Sequence, residues 1–100
     1  MGSEIPSMNQ KRKGTRGEHR AMAILEAAGY ACTRSGGSLG VFDVIAIGPV
    51  DIRCVQVKSG GAYLSAVERE QIKHFRAPPT VSKEAWRFPD RARAPLIERL

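Results

Sequence analysis

The stretch from Arg34 to Gly60, RSGGSLGVFDVIAIGPVDIRCVQVKSG, decides the fold. A loop rich in serine and glycine precedes two apolar runs separated by a Gly-Pro turn, which predicts two adjacent strands. Asp43 opens the first run, where a buried carboxylate without a cation beside it would be costly. Lys58 is one candidate partner, and a bound divalent metal is another. The spacing from Asp43 to Gln56 and Lys58 suits a hairpin that gathers the three side chains at one edge of a sheet.

The second apolar run, residues 51–58, is predicted to be a strand whose side chains point alternately to opposite faces. Gln56 and Lys58 then share one face with Ile52 and Cys54. The two apolar neighbours indicate that this face is partly covered. We therefore favour a site role for Gln56 and Lys58 over a polar stripe that faces solvent.

A first helix is predicted to begin near Thr15, because Thr15-x-x-Glu18 has the form of a capping box, and to end at Gly29. Glu18 precedes the apolar positions of this helix and lies on or beside its inward face. It has two compatible interpretations, as a helix cap and as a residue of the site. The residues at helical spacing that are expected to face the core are Ala21, Ile24, Leu25 and Ala28.

A second helix is predicted to open with the capping box Ser65-x-x-Glu68 and to end at Pro78-Pro79. Its inward residues are expected to be Val67, Ile72 and Phe75. The other predicted strands are residues 30–34, residues 42–47, which are expected to be buried on both faces, and a closing hairpin of residues 83–88 and 94–100.

The length and the net charge limit the number of domains and the kinds of partner that the chain can have. One hundred residues make one domain at residues 13–100, preceded by a basic tail or tag remnant at 1–12 that we expect to be disordered. A net charge of +6 fits a nucleic-acid partner or a solvated basic surface. No apolar run approaches the roughly 20 residues that cross a bilayer, so no membrane partner is expected. Cys32 and Cys54 lack zinc spacing and are expected to be buried thiols, with a disulfide between neighbouring strands left open.

The order of these features resembles the core of the PD-(D/E)xK nuclease superfamily and, within it, the archaeal-type (Hjc-like) Holliday junction resolvases. The matching segments are Gly14-x-x-Gly-Glu18, Arg34-Ser35-Gly36-Gly37-Ser38 ahead of Asp43, and Gln56-x-Lys58-Ser59. Each motif alone is common, so their order and spacing carry the likeness, which covers about residues 13–75. The resemblance implies an α/β fold with a restriction-endonuclease-like core, a central mixed β-sheet flanked by helices in the order α-β-β-β-α-β-β.

The resemblance also implies a role for each residue of the site. Asp43, Gln56 and the backbone carbonyl of Val57 would hold Mg²⁺, or Mn²⁺ as a substitute, with Glu18 as a direct or water-mediated ligand. Lys58 would orient the attacking water or stabilise the charged phosphorane. Gln56 departs from the more common glutamate and brings no charge, which predicts a weaker metal site. The residues expected to contact DNA are Lys11, Arg12, Lys13, Arg16, Arg20, Arg34, Ser35 and Ser38.

The function implied by the resemblance is a metal-dependent DNA endonuclease that hydrolyses phosphodiesters in branched DNA during recombination and repair. A homodimer is expected, because a four-way junction needs two symmetric cuts. The expected location is the nucleoid, in the cytoplasm of a microbe or in a phage-infected cell. The alternatives are a related nuclease or nickase on linear duplex DNA, and a non-catalytic DNA-binding module with the same core. A small structural or adaptor domain is disfavoured by the charge.

Overall fold

The structure, a computed structural model, describes residues 5–35 and 40–100, with side chains from residue 16 onward. The elements are α1 (Ile5–Ala27), β1 (Ala31–Arg34), β2 (Val44–Ile47), β3 (Ile52–Ser59), α2 (Ala66–His74), β4 (Val81–Phe88) and β5 (Leu96–Arg99). This is the predicted order of elements, and the predicted mixed sheet flanked by helices is confirmed. Neither helix in the described ranges combines the length and apolar character needed to cross a membrane.

The five strands form one sheet in the order β1-β2-β3-β4-β5. β3 and β4 run parallel, whereas the other neighbouring strands are antiparallel. Parallel neighbours need a crossover connection, and α2 supplies it between β3 and β4. β4 and β5 form the closing hairpin that the sequence predicted. β3 is the central strand, and its end beyond Val55 pairs with β4 alone, which leaves the side next to β2 open at Gln56 and Lys58.

The two helices cover opposite faces of the sheet. Ile72 of α2 packs with Phe42 and Cys54 on one face, where the rings of Phe42 and Phe75 meet edge to face at 5.0 Å. On the other face α1 contacts β1, β2 and β3. The buried residues on the α1 side are Ala21, Leu25, Val44, Ala46, Val55, Trp86 and Phe88.

The start of α1 differs from the prediction. The helix begins at Ile5, so Thr15 lies inside it and Thr15-x-x-Glu18 is not a capping box at a helix start. Periodicity missed the first turns because the sequence before Thr15 carries no apolar stripe. Residues 1–4 lie outside the described ranges, and the division into a tail at 1–12 and a domain stays a prediction. The end of the helix is as predicted, since Gly29 has a φ of +99° and its N–H donates to the Glu26 carbonyl at 3.0 Å.

Four predictions of burial are wrong. Ile47 is 52% exposed, so β2 is not buried on both faces; Ile47 is the last residue of the strand and borders the turn at Gly48. Val67 is 67% exposed because α2 is short and faces the sheet through Ile72. Ile24 lies on the flank of α1 and is also exposed, whereas Ala21 and Leu25 are fully buried as predicted. Ala28 lies beyond the end of the helix and is exposed.

The two cysteines are free thiols, which answers the question left open by the sequence. Cys54 is buried, as predicted, and Cys32 is half-buried. They lie on different strands, β1 and β3, separated by β2. Burial raises the pKa of both thiols, so each is held in its unreactive form.

Candidate active site

Asp43 is fixed at the point where β2 and β3 begin to pair. Its backbone N–H donates to the Val55 carbonyl at 2.8 Å, and its carbonyl accepts from the N–H of Ser35 at 2.9 Å. Its side chain then reaches further along β3, where Oδ2 accepts a 2.8 Å hydrogen bond from the backbone N–H of Val57. The β2–β3 register therefore holds the Asp43 carboxylate against the segment that carries Gln56 and Lys58, as the hairpin spacing predicted.

Gln56 lies beside Asp43 and is only 7% exposed. The hydrogen-bond network assigns its amide nitrogen as a donor to Asp43 Oδ2, at 3.2 Å, and to the carbonyl of Val41. The opposite orientation would set the amide oxygen against two other oxygens, an arrangement that needs a cation among them. Gln56 is thus next to the predicted metal ligand, and without a cation between them its nitrogen rather than its oxygen is the better partner for Asp43.

The electrostatic environment of Asp43 is short of positive charge. Burial raises the pKa of Asp43 above its usual value, and the hydrogen bond from the Val57 N–H only partly offsets this. The carboxylates of Glu18 and Glu68 raise the pKa further, whereas the ammonium of Lys58 lowers it. The net direction is upward, so an additional cation beside Asp43 would be favourable.

Glu18 reaches the site because α1 lies close to the end of β3. The approach depends on Gly17, which is buried, since a Cβ there would overlap Ser59 Oγ and lie 3.1 Å from Val57 Cγ1. Glu18 Oε1 accepts a 2.8 Å hydrogen bond from Nε of Arg34, the last residue of β1. The Glu18 carboxylate is close enough to Asp43 to raise the pKa of that residue, and one of its oxygens is bound to Arg34; its role as a metal ligand stays a prediction.

Lys58 points to the same face of β3 as Gln56 and is paired with a residue of α2. Its Nζ lies 2.7 Å from Oε2 of Glu68, and both side chains are about three-quarters buried, with 21% and 26% exposure. The predicted capping box at the start of α2 is confirmed, with Ser65 as its N-cap and Glu68 as its third helical residue. The sequence explained Glu68 completely as a cap, so no signal marked it as a neighbour of Lys58.

The described residues offer a divalent metal a sparse set of ligands. Within residues 5–35 and 40–100, no three His, Cys, Asp or Glu side chains are grouped so as to hold an ion. Mg²⁺, however, usually takes one or two carboxylates and completes its shell with carbonyl oxygens and water. Asp43, with its raised pKa and its neighbouring amide and backbone groups, fits such a sparse site. The identity of the ligands stays a prediction.

Some of the residues predicted to contact DNA have partners within the protein, one is exposed, and the rest lie outside the described residues. Among those with a partner, Arg20 donates from Nη2 to the Ala92 carbonyl at 2.9 Å, and its guanidinium lies 4.5 Å from the centre of the Phe88 ring. Ser35 donates its hydroxyl to the Phe42 carbonyl, and Arg34 binds Glu18. Arg16 is exposed. The side chains of Lys11, Arg12 and Lys13, and all of Ser38, lie outside the described residues.

Comparison with known proteins finds a likeness to a solved structure. No protein-family model matches the chain, and no curated protein sequence matches it. Among solved structures it is similar to Hjc, a Holliday junction resolvase from the archaeal hyperthermophile Archaeoglobus fulgidus. The two share 29% sequence identity with a TM-score of 0.73, over 87% of this chain and 72% of that chain. The resemblance predicted from the sequence is therefore confirmed.

Proposed function

We propose that the chain is a divalent-metal-dependent endonuclease that cuts branched DNA, as a Holliday junction resolvase does. The observation that supports this most is the convergence of Asp43, Gln56 and Lys58 at the end of β3. It occurs in a fold that is similar to that of the archaeal resolvase. A net charge of +6 suits a DNA partner, and a homodimer would supply two cuts to a four-way junction.

In this proposal Asp43 is the central metal ligand, with the Gln56 amide oxygen, the Val57 carbonyl and Glu18 as further donors. The ion, Mg²⁺ or Mn²⁺, would supply charge neutralisation at the phosphate and activation of the attacking water. Gln56 would have to turn its amide, since its nitrogen now faces Asp43. The two charged oxygens that a carboxylate would offer are reduced here to one neutral oxygen, so Asp43 would carry most of the affinity.

Lys58 supplies the fixed positive charge of the proposed site. Its ammonium lies on the same face of β3 as Gln56 and is held on α2 by Glu68. A held ammonium stabilises negative charge that develops on the phosphate without having to reorganise at that moment. Arg16, Arg34 and the basic residues at the start of α1 would bind the flanking backbone phosphates.

The test is cleavage of a labelled four-way junction by wild-type protein and by Asp43→Asn, with and without Mg²⁺. The variant keeps the shape of the side chain and removes its charge, so we expect cleavage to fall about 100-fold or more, with junction binding largely retained. Asp51→Asn is the matched control, because Asp51 lies before β3 and accepts its hydrogen bonds from the Tyr30 hydroxyl. Undiminished cutting by Asp43→Asn would refute the proposal.

The same assay distinguishes the preferred substrate. Four-way junctions, flaps and linear duplexes are compared at one fixed salt concentration, because affinity for any DNA falls steeply with salt. Preferential cutting of the junction supports a resolvase. Cutting of linear duplex at the same rate as the junction indicates a nuclease or nickase with a broader range of substrates.

A second candidate function is a DNA-binding module without catalysis, which the neutral side chain of Gln56 favours. An amide nitrogen that donates to Asp43 stabilises the carboxylate without any metal. Such a protein would bind junction DNA tightly and yield no product with either Mg²⁺ or Mn²⁺.

A further inference from the structure

The two carboxylate oxygens of Glu68 have different partners. Oε1 accepts a 3.0 Å hydrogen bond from the backbone N–H of Ser65, which completes the capping box of α2. Oε2 accepts a 2.7 Å hydrogen bond from Nζ of Lys58, on the neighbouring strand β3. One side chain therefore joins the start of a helix to the lysine of the proposed active site.

The capping role alone does not account for this arrangement. A capping box needs one acceptor oxygen at this position, and glutamine provides it as well as glutamate does. The contact with Lys58 uses the second oxygen and the negative charge. Although burial raises the pKa of Glu68, the bonds from Lys58 and Ser65 outweigh it and hold the pKa below its usual value. Glu68 is thus a carboxylate kept ionised beside an ammonium.

The cap also fixes the direction of the Glu68 side chain. With Oε1 held by the Ser65 backbone N–H, the carboxylate has little freedom to turn. Lysine has four rotatable bonds, and its ammonium is a point charge that is held in place only by its acceptors. The first turn of α2 can therefore set the position of the flexible Lys58 side chain.

We infer that Glu68 is a positioning residue that orients the Lys58 ammonium for DNA cleavage. The inference rests on the proposed function. It assigns to the carboxylate of the capping box, and not to the Ser65 hydroxyl, a role in the reaction, because the same carboxylate anchors the helix and aims the lysine. Glu68 acts through Lys58 and needs no contact with DNA.

The substitution Glu68→Gln separates the two roles. Because the Ser65 N–H requires an acceptor, the glutamine oxygen stays on the cap and its NH₂ group turns toward Lys58. A donor then faces the ammonium, so the contact with Lys58 is lost while the cap survives. Ser65→Ala is the converse control: it removes the hydroxyl that accepts from the N–H of Glu68 and leaves the Lys58 contact in place.

Two readouts test the inference. For junction cleavage with Mg²⁺, we expect Glu68→Gln to lower kcat about 10- to 100-fold with KM unchanged, since a misplaced group costs rate rather than binding. Ser65→Ala should keep the wild-type kcat and unfold at lower urea. The second readout is the nitrogen NMR signal of the Lys58 ammonium in protein without DNA or metal. We expect this signal to be slowly exchanging in wild type and Ser65→Ala, and lost by fast exchange in Glu68→Gln.

Several results would overturn the inference. A wild-type kcat in Glu68→Gln would do so, as would an ammonium signal that persists in that variant. An equal fall of kcat in Ser65→Ala and Glu68→Gln would indicate that only the helix cap matters. If the wild-type protein cuts no DNA, the proposed function fails and the inference with it, whereas cutting by wild type and Glu68→Gln alike refutes the inference alone.

Discussion

Glu84 and Asp43 are two carboxylates on one sheet with opposite electrostatic environments. Glu84 on β4 is 0% exposed, and Arg53 on β3 binds both its oxygens, with contacts of 2.7 and 2.8 Å. The Trp86 indole N–H donates to it at 2.8 Å, and the hydroxyl of Ser82 donates as well. Asp43 has one backbone N–H and the Gln56 amide, and two further carboxylates lie near it.

The pKa shifts of the two residues have opposite signs. Burial raises the pKa of Glu84, but the bonds from Arg53, Ser82 and Trp86 outweigh it and hold the pKa below its usual value. For Asp43, burial and the neighbouring acids prevail, and the pKa is raised. Burial therefore does not distinguish a structural carboxylate from a functional one. What distinguishes them is whether the protein itself supplies the balancing charge.

The largest effect on stability is expected from Glu84→Gln. The change leaves the buried guanidinium of Arg53 without its counter-ion, so the free energy of unfolding should fall by about 3–5 kcal/mol. Urea denaturation measures it, with Glu98→Gln on the exposed strand β5 as the control that should change little. A loss below about 1 kcal/mol for Glu84→Gln would show that the pair is not a structural anchor.

A double substitution sharpens the same contrast. Replacing the pair by apolar residues, Arg53→Met with Glu84→Leu, removes both buried charges together. We expect the double variant to be about 2 kcal/mol more stable than Glu84→Gln in urea, with the unpaired Trp86 N–H preventing full recovery. A double variant no more stable than Glu84→Gln would contradict the view that the unpaired Arg53 charge causes the loss.

Asp43→Asn, unlike Glu84→Gln, should not lower the stability of the fold. We expect its free energy of unfolding at neutral pH to stay within about 1 kcal/mol of wild type or to rise, because the variant removes a poorly compensated charge. Equilibrium unfolding in urea, run beside the Glu84→Gln series, provides the value. A clear loss of stability would mean that Asp43 is an anchor of the fold rather than a cation site.

The pH dependence of stability should separate the two residues by its sign. Since the folded pKa of Asp43 lies above its ordinary 3.8, its contribution is most favourable below that pH and declines as pH rises through the folded pKa. Since the folded pKa of Glu84 lies below its ordinary 4.5, its contribution is complete above that pH and is lost as pH falls through the folded pKa. The measurement is the free energy of unfolding in urea at a series of acidic pH values. The difference between wild type and Asp43→Asn should change with pH in the direction opposite to the difference between wild type and Glu84→Gln.

The contacts of Asp43 and the contacts of Glu84 were not equally predictable from the sequence. The grouping of Asp43, Gln56 and Lys58 was predictable because a short hairpin fixes the register, and Val44 does pair with Val55. The contact between Arg53 and Glu84 joins parallel strands across a helical crossover, so local spacing says nothing about it. It follows only once β4 is known to lie beside β3.

Two other features escaped prediction for different reasons. The start of α1 at Ile5 has no apolar stripe to reveal it, and the capping-box pattern at Thr15 pointed to a false start. The direction of the Gln56 amide depends on Val41, whose carbonyl is placed by the chain entering β2. Sequence spacing gives the residues that meet, but not which atom each presents.

The most direct test of a cation site at Asp43 is a Mn²⁺ titration of the protein without DNA. Electron paramagnetic resonance measures the concentration of the free ion at each step. The account predicts saturable binding to wild-type protein and to Asp51→Asn, and loss of that binding in Asp43→Asn. In the wild type, Mn²⁺ at ten times its dissociation constant should also stabilise the fold by about 1.4 kcal/mol. Equal binding by wild type and Asp43→Asn, or no saturable binding by either, would contradict it.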